Sequence, residues 1–485
     1  MRLKLGLACL IVWSSFCSFH QIFAQEGNAE EEALEEESLA NIDTLFFDAF
    51  FKSVVEQHPL AMQAALLPEE ARMRLMHARG NFDPTFDLYH SNKNFEETEY
   101  YNTSVGQVKV PLWFGADLKV GHERAGGVYL NPEHRVPDEG LTFAGISMPV
   151  ARNLWTDPRR TAVRQAQAFQ NVAQAQQIQM INRLLFQAYM AYWDWFFQYH
   201  ALDRIQEALD FAQERFEGIR ETVILEDMAP IDSVEAQILV QRRKVQLENQ
   251  QAAFENATTF LSNFLWDEFQ PLDIPEDVIP QEDLPDYMYD LPELGFFLNN
   301  ALNHPDLLVN EFTAKQLEQE ERLRKNNLLP FVSLEYNFLT RFPTGEDRVD
   351  FGLYNNNYKV GVRAYYPLFL RKERASLKIN RIQLQDLDLI RSRLQREIPN
   401  EVAIRYREMQ AQVRNIEEQS GMVYNQAVLR EGEILKFENG ESSLFLINAR
   451  ETNLIDMQVD LLRQKRTLAQ KMAETLRASG NFDLE

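Results

Sequence analysis

The sequence predicts an α+β protein in which one structural unit occurs twice. Pro59, in a His-Pro pair, returns as Pro305, and Pro84, which opens a strand-like segment, returns as Pro330; both separations are 246 residues. Long stretches with heptad spacing follow the strand-like segments in each half. Because unrelated matches would not share one separation, these observations indicate an internal duplication.

Alternating apolar and polar residues predict strands directly after the first helix of each unit. In the first unit the candidates are Pro84–Lys93, Val105–Val110, Ala116–Gly121 and Leu141–Val150. Near the end of the strands, equivalent positions of the two units are 218 residues apart, whereas earlier positions are 246 residues apart. The first unit therefore carries 28 more residues than the second. The excess lies around 103–140, and the pattern leaves open whether it adds strands or forms a loop.

A very long helix and a returning helix complete each unit. Asp157-Pro158 is a favourable helix start, and no further proline occurs before Asp227, a stretch that would extend roughly 105 Å as a helix. The second long helix is predicted at Arg371–Glu438, where Pro399 is expected to kink or locally unwind it. Apolar residues in alternating steps of three and four predict a packed coiled-coil seam, as at Leu202, Ile205, Leu209, Ala212, Phe216 and Ile219.

The repeat analysis divides the chain into a signal peptide (1–24), an acidic mobile leader (25–41), a first repeat (42–270), a linker (271–289), a second repeat (290–477) and a C-terminal tail (478–485). In the first repeat the strands are expected at about 82–150, the long helix at 158–228 and the return helix at 231–266. The corresponding expectations in the second repeat are 330–367, 371–438 and 441–477. The helix that opens the first repeat is expected to break near Pro59 or Pro68.

The N-terminal segment is predicted to be a cleavable signal peptide that directs the chain out of the cytoplasm. A basic start precedes the apolar stretch Leu5–Phe16, and the small Ala24 marks the expected cleavage point. An uncleaved membrane anchor is the alternative, although the apolar run is short for a bilayer. Because Cys9 and Cys17 both lie in this segment, the mature chain is expected to lack cysteine and therefore thiol catalysis, cysteine-ligated zinc and disulfides.

Charge and hydropathy exclude several other classes. The chain has 49 lysine and arginine residues against 73 aspartate and glutamate residues, a net charge of −24, which disfavours nucleic-acid binding. The mean hydropathy of −0.38 argues against a membrane protein of many helices, but not against a membrane β-barrel, whose strands alternate. No catalytic motif, phosphate-binding loop or metal-ligand spacing is present, so no enzyme activity, cofactor or metal is predicted. His58 and His304 are expected to shape helix starts.

Taken in order, these motifs resemble the TolC-type outer membrane efflux family over about residues 42–477. The resemblance is carried by the two His-Pro starts, the two proline-led strands, the helix start at Asp157–Arg160 and the two helix-to-helix turns. Tyr129–Glu133 and the glycine-rich insert look like a Bacteroidetes-like branch of that family.

The resemblance implies a homotrimer in the cell outer membrane with a large periplasmic part. Each protomer would give four strands to one shared 12-stranded β-barrel that is continuous with a long α-helical coiled-coil barrel. An independent argument supports an oligomer, because a few strands with free edges cannot pair all their backbone groups in lipid.

Passive conduction of solutes is the implied activity, as the outer membrane channel of a tripartite efflux or type I secretion system. The implied partners are a periplasmic adaptor protein, an inner-membrane pump and outer membrane lipid. A pore-less periplasmic coiled-coil adaptor or scaffold is the alternative, and an exported enzyme is a more distant one.

The resemblance also places the two helical turns at a periplasmic tip, where a gate and adaptor contacts belong. In the best-known member an arginine and a tyrosine lock the tip; Ser442 and Phe437 stand in their places here, and that member's aspartate ring falls on Leu446 and Ala449. We therefore expect apolar closure and a negatively charged mouth that favours cations. Asp232 has the alternative role of capping the returning helix. The candidate residues are Asp227, Asp232, Glu235, Phe437, Glu438, Gly440, Glu441, Leu444 and Phe445.

Overall fold

The computed structural model describes residues 44–226, 229–275, 277–341 and 357–482. The predicted signal peptide and leader, together with Asp227, lie outside the described residues.

Eight α-helices occur in the described ranges, in the order that the sequence predicts. They are α1 (Phe47–Gln57), α2 (Pro59–Arg79), α3 (Pro158–Ile224), α4 (Pro230–Ser262), α5 (Leu294–Ala301), α6 (Pro305–Asn326), α7 (Arg371–Glu438) and α8 (Leu444–Ser479). The two long helices α3 and α7 have 67 and 68 residues, so each extends about 100 Å at 1.5 Å per residue. Each packs along its returning partner, α3 with α4 and α7 with α8.

The helix starts follow the sequence, and neither of the two internal prolines, Pro68 and Pro399, interrupts its helix. Asp157 caps α3 as predicted, since its carboxylate accepts the backbone N–H of Arg160 at 2.8 Å. The opening helix breaks at His58 and continues through Pro68. The expectation that Pro399 locally unwinds the second long helix is wrong, because α7 is helical from end to end, and the alternative of a kink stays a prediction. A proline removes only one backbone donor, and the surrounding turns of a packed helix keep their own hydrogen bonds.

A single main sheet contains six strands within the described residues. They are β1 (Thr85–Phe95), β2 (Thr98–Pro111), β3 (Asp117–Gly126), β4 (Leu141–Pro149), β5 (Phe331–Arg341) and β6 (Tyr358–Tyr365). Their spatial order is β1-β2-β3-β4-β5-β6, and every neighbouring pair is antiparallel. The sheet is therefore a continuous meander in which β4 of the first unit pairs with β5 of the second.

The extra residues of the first unit resolve the question that the sequence left open. Residues 98–126 form β2 and β3, which lie between β1 and β4 and separate them. The resemblance implied four strands from each protomer, whereas the described sheet has six. The sequence pattern did identify the strands themselves, because Val105–Val110 falls in β2 and most of Ala116–Gly121 in β3.

The core of the molecule lies about midway along α3 and is rich in aromatic side chains. Trp193, Trp195 and Phe196 on α3 are fully buried with Phe50 of α1 and Phe297 of α5. Several of the rings meet edge to face, as for Tyr192 and Trp193 at 5.1 Å between centroids, and others are tilted or stacked. Such pairs add about 0.5–1.5 kcal/mol to the burial of the rings. This core therefore joins the beginning of the chain to both long helices.

The predicted linker 271–289 packs into this core and is not a free tether. Leu284 and Met288 are buried in it, and Ile279–Pro280 pairs in parallel with Thr44–Leu45. The hydroxyl of Tyr192 donates to the carbonyl of Leu45 at 2.7 Å. Burial raises the pKa of Tyr192, so the phenol remains a donor across the physiological pH range.

His58 and His304 have the structural role that the sequence predicts. Each precedes a proline-led helix, and each ring Nδ1 accepts the backbone N–H two residues later, Leu60 at 3.0 Å and Asp306 at 3.1 Å. A ring that accepts in this way is neutral. Burial lowers the pKa of both histidines and so favours that neutral form.

Protonation of these caps should destabilise the protein in mild acid. Because the folded-state pKa is below the unfolded value of 6.5, the unfolded chain binds more protons, and stability falls as the pH drops through 6.5. We expect the melting temperature in detergent to decrease between about pH 7.5 and pH 5. His58→Asn with His304→Asn keeps a capping acceptor that does not titrate, and should flatten the profile. His200, whose pKa is also lowered by burial, accounts for part of the remaining slope. An unchanged profile in the double variant would contradict this role.

Candidate functional site

The six strands present one apolar face, defined by the side chains that alternate in register across the sheet. Leu88 is 71% exposed at one edge, and Val362 is 66% exposed at the other. In the regularly paired part of the described strands this face carries no aspartate, glutamate or lysine, and Arg124 lies at its end remote from the helices. Exposed apolar residues contribute to this face from every strand: Phe86, Leu88, Val108, Leu118, Val120, Ile146, Leu334, Tyr336, Tyr358, Val360 and Val362.

The opposite face of the same sheet is charged. On it Lys109 lies 3.1 Å from Asp117, and Lys119 lies 3.1 Å from Glu335 on β5. Arg159, in the first turn of α3, also contacts Asp117 at 2.8 Å and so ties this face to the helices. The charged residues of this face are Asp87, Lys93, Lys109, Asp117, Lys119, Glu123, Glu335, Arg341, Lys359 and Arg363. A sheet with one largely apolar exposed face, free of acids and lysines in its regularly paired part, and one charged face suits lipid on the first side and water on the second.

The two helix-to-helix turns meet at the end of the helices remote from the sheet. Leu444 at the start of α8 is buried with Ile219 of α3 and Ala236 of α4, and Phe437 packs against this cluster. Gly440 follows α7 in a left-handed conformation with φ of +75°, which glycine adopts without a side-chain clash. The structure thus brings Phe437, Gly440 and Leu444 to one place.

The predicted apolar residues of this tip divide into two kinds. Phe437 and Leu444 face the interior of the protomer, whereas Phe445 is 65% exposed beside exposed Leu446. Ile224, Leu225 and other apolar side chains near the first turn are exposed as well.

The predicted acidic residues of the tip occupy surface positions. Glu438 and Glu441 are exposed, and Asp232 and Glu235 are half-buried. Asp232 is not the cap of α4, since the cap is Ala229 without a side-chain bond. Asp232 lies instead in the first turn, where a negative charge is stabilised by the helix dipole.

A polar network near the tip was not anticipated from the sequence. Arg215 of α3 forms an ion pair with Glu451 of α8 and donates to the side-chain oxygen of Asn448 at 3.0 Å. Arg243 of α4 donates to the hydroxyl of Thr452, which also lies on α8, at 3.3 Å. A usable signal was present, because Glu451 lies at a seam position between Ile447 and Leu454, where a coiled coil normally places an apolar residue.

Two further contacts extend this network through the second turn. Ser442 donates to the carboxylate of Glu433 at 2.5 Å, and Arg450 lies 3.7 Å from the same carboxylate. Ser442 and Arg450 therefore contact α7 through one carboxylate, that of Glu433. Burial lowers the pKa of Arg243, partly offset by Asp456 and Glu451. The network therefore links both helical hairpins through α8.

Within the described residues, none of the helices combines the length and the apolar character needed to cross a bilayer. Over the same ranges no group of histidine, aspartate and glutamate side chains is arranged to hold a metal ion.

Comparison with known proteins gives similarity of fold. No family model and no curated protein matches the chain. The outer membrane channel CmeC of Campylobacter jejuni superposes with a TM-score of 0.64 at 12% identity, over 89% of this chain and 85% of that one. The outer membrane protein VceC of Vibrio cholerae gives 0.62 at 13% identity, over 90% and 96%. The open state of the Neisseria gonorrhoeae outer membrane channel MtrE gives 0.63 at 14% identity, over 89% and 88%. The chain thus shares the fold of outer membrane channels over most of its length.

Removing one partner of the Arg215–Glu451 ion pair should loosen the tip. Arg215→Met leaves the nearly buried Glu451 carboxylate unpaired, which should cost about 3 kcal/mol of local stability. Hydrogen exchange of the α8 segment 444–455 should then become faster. Arg215→Met with Glu451→Met should recover most of the protection, since no charge is left buried. The control is Arg393→Met, which breaks an exposed pair with Glu397 and should change little. Equal exchange in the single and double variants would disprove the coupling.

Proposed function

We propose that this chain is the outer membrane channel of a tripartite efflux or type I secretion system, and that it conducts solutes passively. The observation that carries the proposal is the sheet with one apolar and one charged face, joined directly to helices about 100 Å long. The shared fold with CmeC and MtrE, both outer membrane channels, supports it. Membership of the TolC-type family and of its Bacteroidetes-like branch rests on the order of the sequence motifs.

In this proposal the apolar face contacts outer membrane lipid and the charged face lines water. Three copies close a shared barrel above a helical tube in the periplasm, and the chain reaches that location through its signal peptide. The internal duplication supplies two hairpins per copy, so the tube has a pseudo-repeating wall. A 12-stranded barrel would require that only four of the six strands of each copy enter the ring.

The helical tip is the proposed docking point for the adaptor and the pump. The pump must supply the energy, because the sequence contains no phosphate-binding loop. Three copies of Asp227, Asp232, Glu235, Glu438 and Glu441 would make the mouth negative and favour cations. A pore-less adaptor or scaffold is the competing function, and it would give a water-soluble protein without a detergent-resistant trimer.

A planar bilayer separates the two functions. The purified protein should insert from detergent, migrate as a heat-modifiable trimer and conduct ions, with a reversal potential in a KCl gradient that shows cation preference. Glu438→Gln with Glu441→Gln should reduce that preference, because the mouth loses six negative charges per trimer. Glu69→Gln with Glu70→Gln, at exposed positions on α2, removes the same number of charges and is the matched control. A soluble monomer with no conductance would exclude the channel.

Phe445, which is exposed, should contribute more to closure between copies than Phe437, which packs inside the protomer. Phe445→Ala should raise the closed-state conductance, because an exposed ring at the tip is free to contact the neighbouring copies. Phe437→Ala removes packing inside the protomer, so we expect mainly lower thermal stability. Phe260→Ala, an exposed site at the other end of α4, controls for loss of an aromatic surface. Unchanged conductance in Phe445→Ala would contradict apolar closure at this residue.

A further inference from the structure

The strand number of the barrel follows from the position of β2 and β3 in the sheet. We propose that all six strands of each copy enter the membrane wall, so that three copies form an 18-stranded barrel. This inference rests on the proposed channel function and changes the size of its pore. It concerns the two strands that the first unit carries in excess of the second.

β2 and β3 are strands of spanning length within the sheet. They have 14 and 10 residues, and a membrane strand needs about 9–11. β2 pairs with β1 from Thr85↔Lys109 to Phe95↔Thr98, and β3 pairs with β4 from Asp117↔Ser147 to Glu123↔Leu141. A 12-stranded ring without β2 and β3 would need β1 to pair directly with β4, which breaks two complete ladders of backbone hydrogen bonds, and a ring without β1 and β2 would break the ladder between β2 and β3. In lipid each unpaired backbone group costs several kcal/mol.

The side chains of the two strands also match those of a membrane wall. Val108 on β2 and Val120 on β3 are exposed and continue the apolar face without interruption from β1 to β4. Lys109 and Lys119 point to the other side and pair with acids of the charged face. The turn between the two strands lies beside the start of α3. In this turn the backbone N–H of Leu112 donates to the carbonyl of Ala116 at 2.7 Å. Both strands therefore extend across the sheet to its helical end.

The free edges of the sheet suit a second copy of the same chain. β1 leaves the helical end at Thr85 and β6 returns to it at Tyr365, so the two edge strands run in opposite directions. With an even number of strands, β6 of one copy meets β1 of the next in the antiparallel sense, as throughout the sheet. Six strands cannot close alone, since known membrane barrels have at least eight.

The chemistry of the two edges is complementary in the register that aligns their helical ends. With Thr85 opposite Tyr365, Asp87 on the charged face of one copy lies opposite Arg363 of the next, and Leu88 lies opposite Val362 on the apolar face. Opposite charges and apolar pairs directly across strands are both stabilising. A shift by one residue would mix the two faces, and a shift by two would separate Asp87 from Arg363, so this match is specific to the register.

The diameter of an 18-stranded barrel would be half as large again as that of a 12-stranded barrel. With strands 4.8 Å apart and tilted by about 40°, the backbone diameter rises from about 24 Å for 12 strands to about 36 Å for 18. At that strand number a barrel leaves an open aqueous channel. Symmetry-related points of a trimer would then be about 30 Å apart, against about 20 Å in the narrower ring.

Pulsed electron paramagnetic resonance on the intact trimer measures this separation. A spin label at Ile146→Cys, on β4, should report the wider of the two distances between copies, and a label at Val120→Cys, on β3, should report the same distance. The label's own length adds a similar increment in both geometries. The shorter distance at Ile146→Cys, with a different value at Val120→Cys, would overturn the 18-stranded wall while leaving a trimeric channel in place. No distance between copies at either site would overturn the trimer, and with it both proposals.

Disulfide trapping tests the seam independently. Leu88→Cys with Val362→Cys should form covalent dimers and trimers under mild oxidation, because both side chains lie on the apolar face in the proposed register. Leu88→Cys with Arg363→Cys is the matched control, in which the two thiols lie on opposite faces and should not join. Efficient cross-linking of the control pair alone would overturn the register.

Discussion

The packing of aromatic rings around Trp193 is the interaction on which the rest of the structure depends. It lies about midway along α3, with the sheet at one end of that helix and the tip at the other. Contacts from α1, α5, α7, α8 and the linker converge there, and they join the two helical hairpins at this level. Long helices with narrow apolar seams have little core of their own, so a wide aromatic cluster at one level fixes their relative positions.

Charged side chains are placed differently at the two ends of the long helices. The sheet places its ion pairs on one face and leaves the other free of acids and lysines. The tip instead buries charged groups between helices, where Arg215 and Glu451 satisfy each other. A buried pair of this kind adds little net stability, but it penalises any separation of the helices that would leave one charge alone. The sheet is thus organised for two solvents, whereas the tip is organised for one specific arrangement of helices.

Much of this architecture was predictable because helices and strands leave periodic signals. The second long helix begins and ends where the sequence predicts, and the caps at His58, Asp157 and His304 follow from local chemistry. The placement of β2 and β3 was not predictable, since alternation identifies a strand without naming its neighbours. The ion pair of Glu451 was not predictable for a related reason, because its partner Arg215 is distant in sequence and meets it only through tertiary packing. The packing of the linker was not predictable, because its proline-rich acidic composition is typical of an exposed tether. Leu284 and Met288 nevertheless supply core contacts.

The continuity of α3 makes it a lever. About 31 residues, or roughly 46 Å, separate Trp193 from the end of the helix. A rotation of about 5° at the aromatic core would displace the tip by about 4 Å, and in the proposed trimer a concerted rotation would change the aperture by twice that amount. A small rearrangement of rings deep inside the protein would therefore produce a displacement of several ångströms at the tip, far from the residues that rearranged.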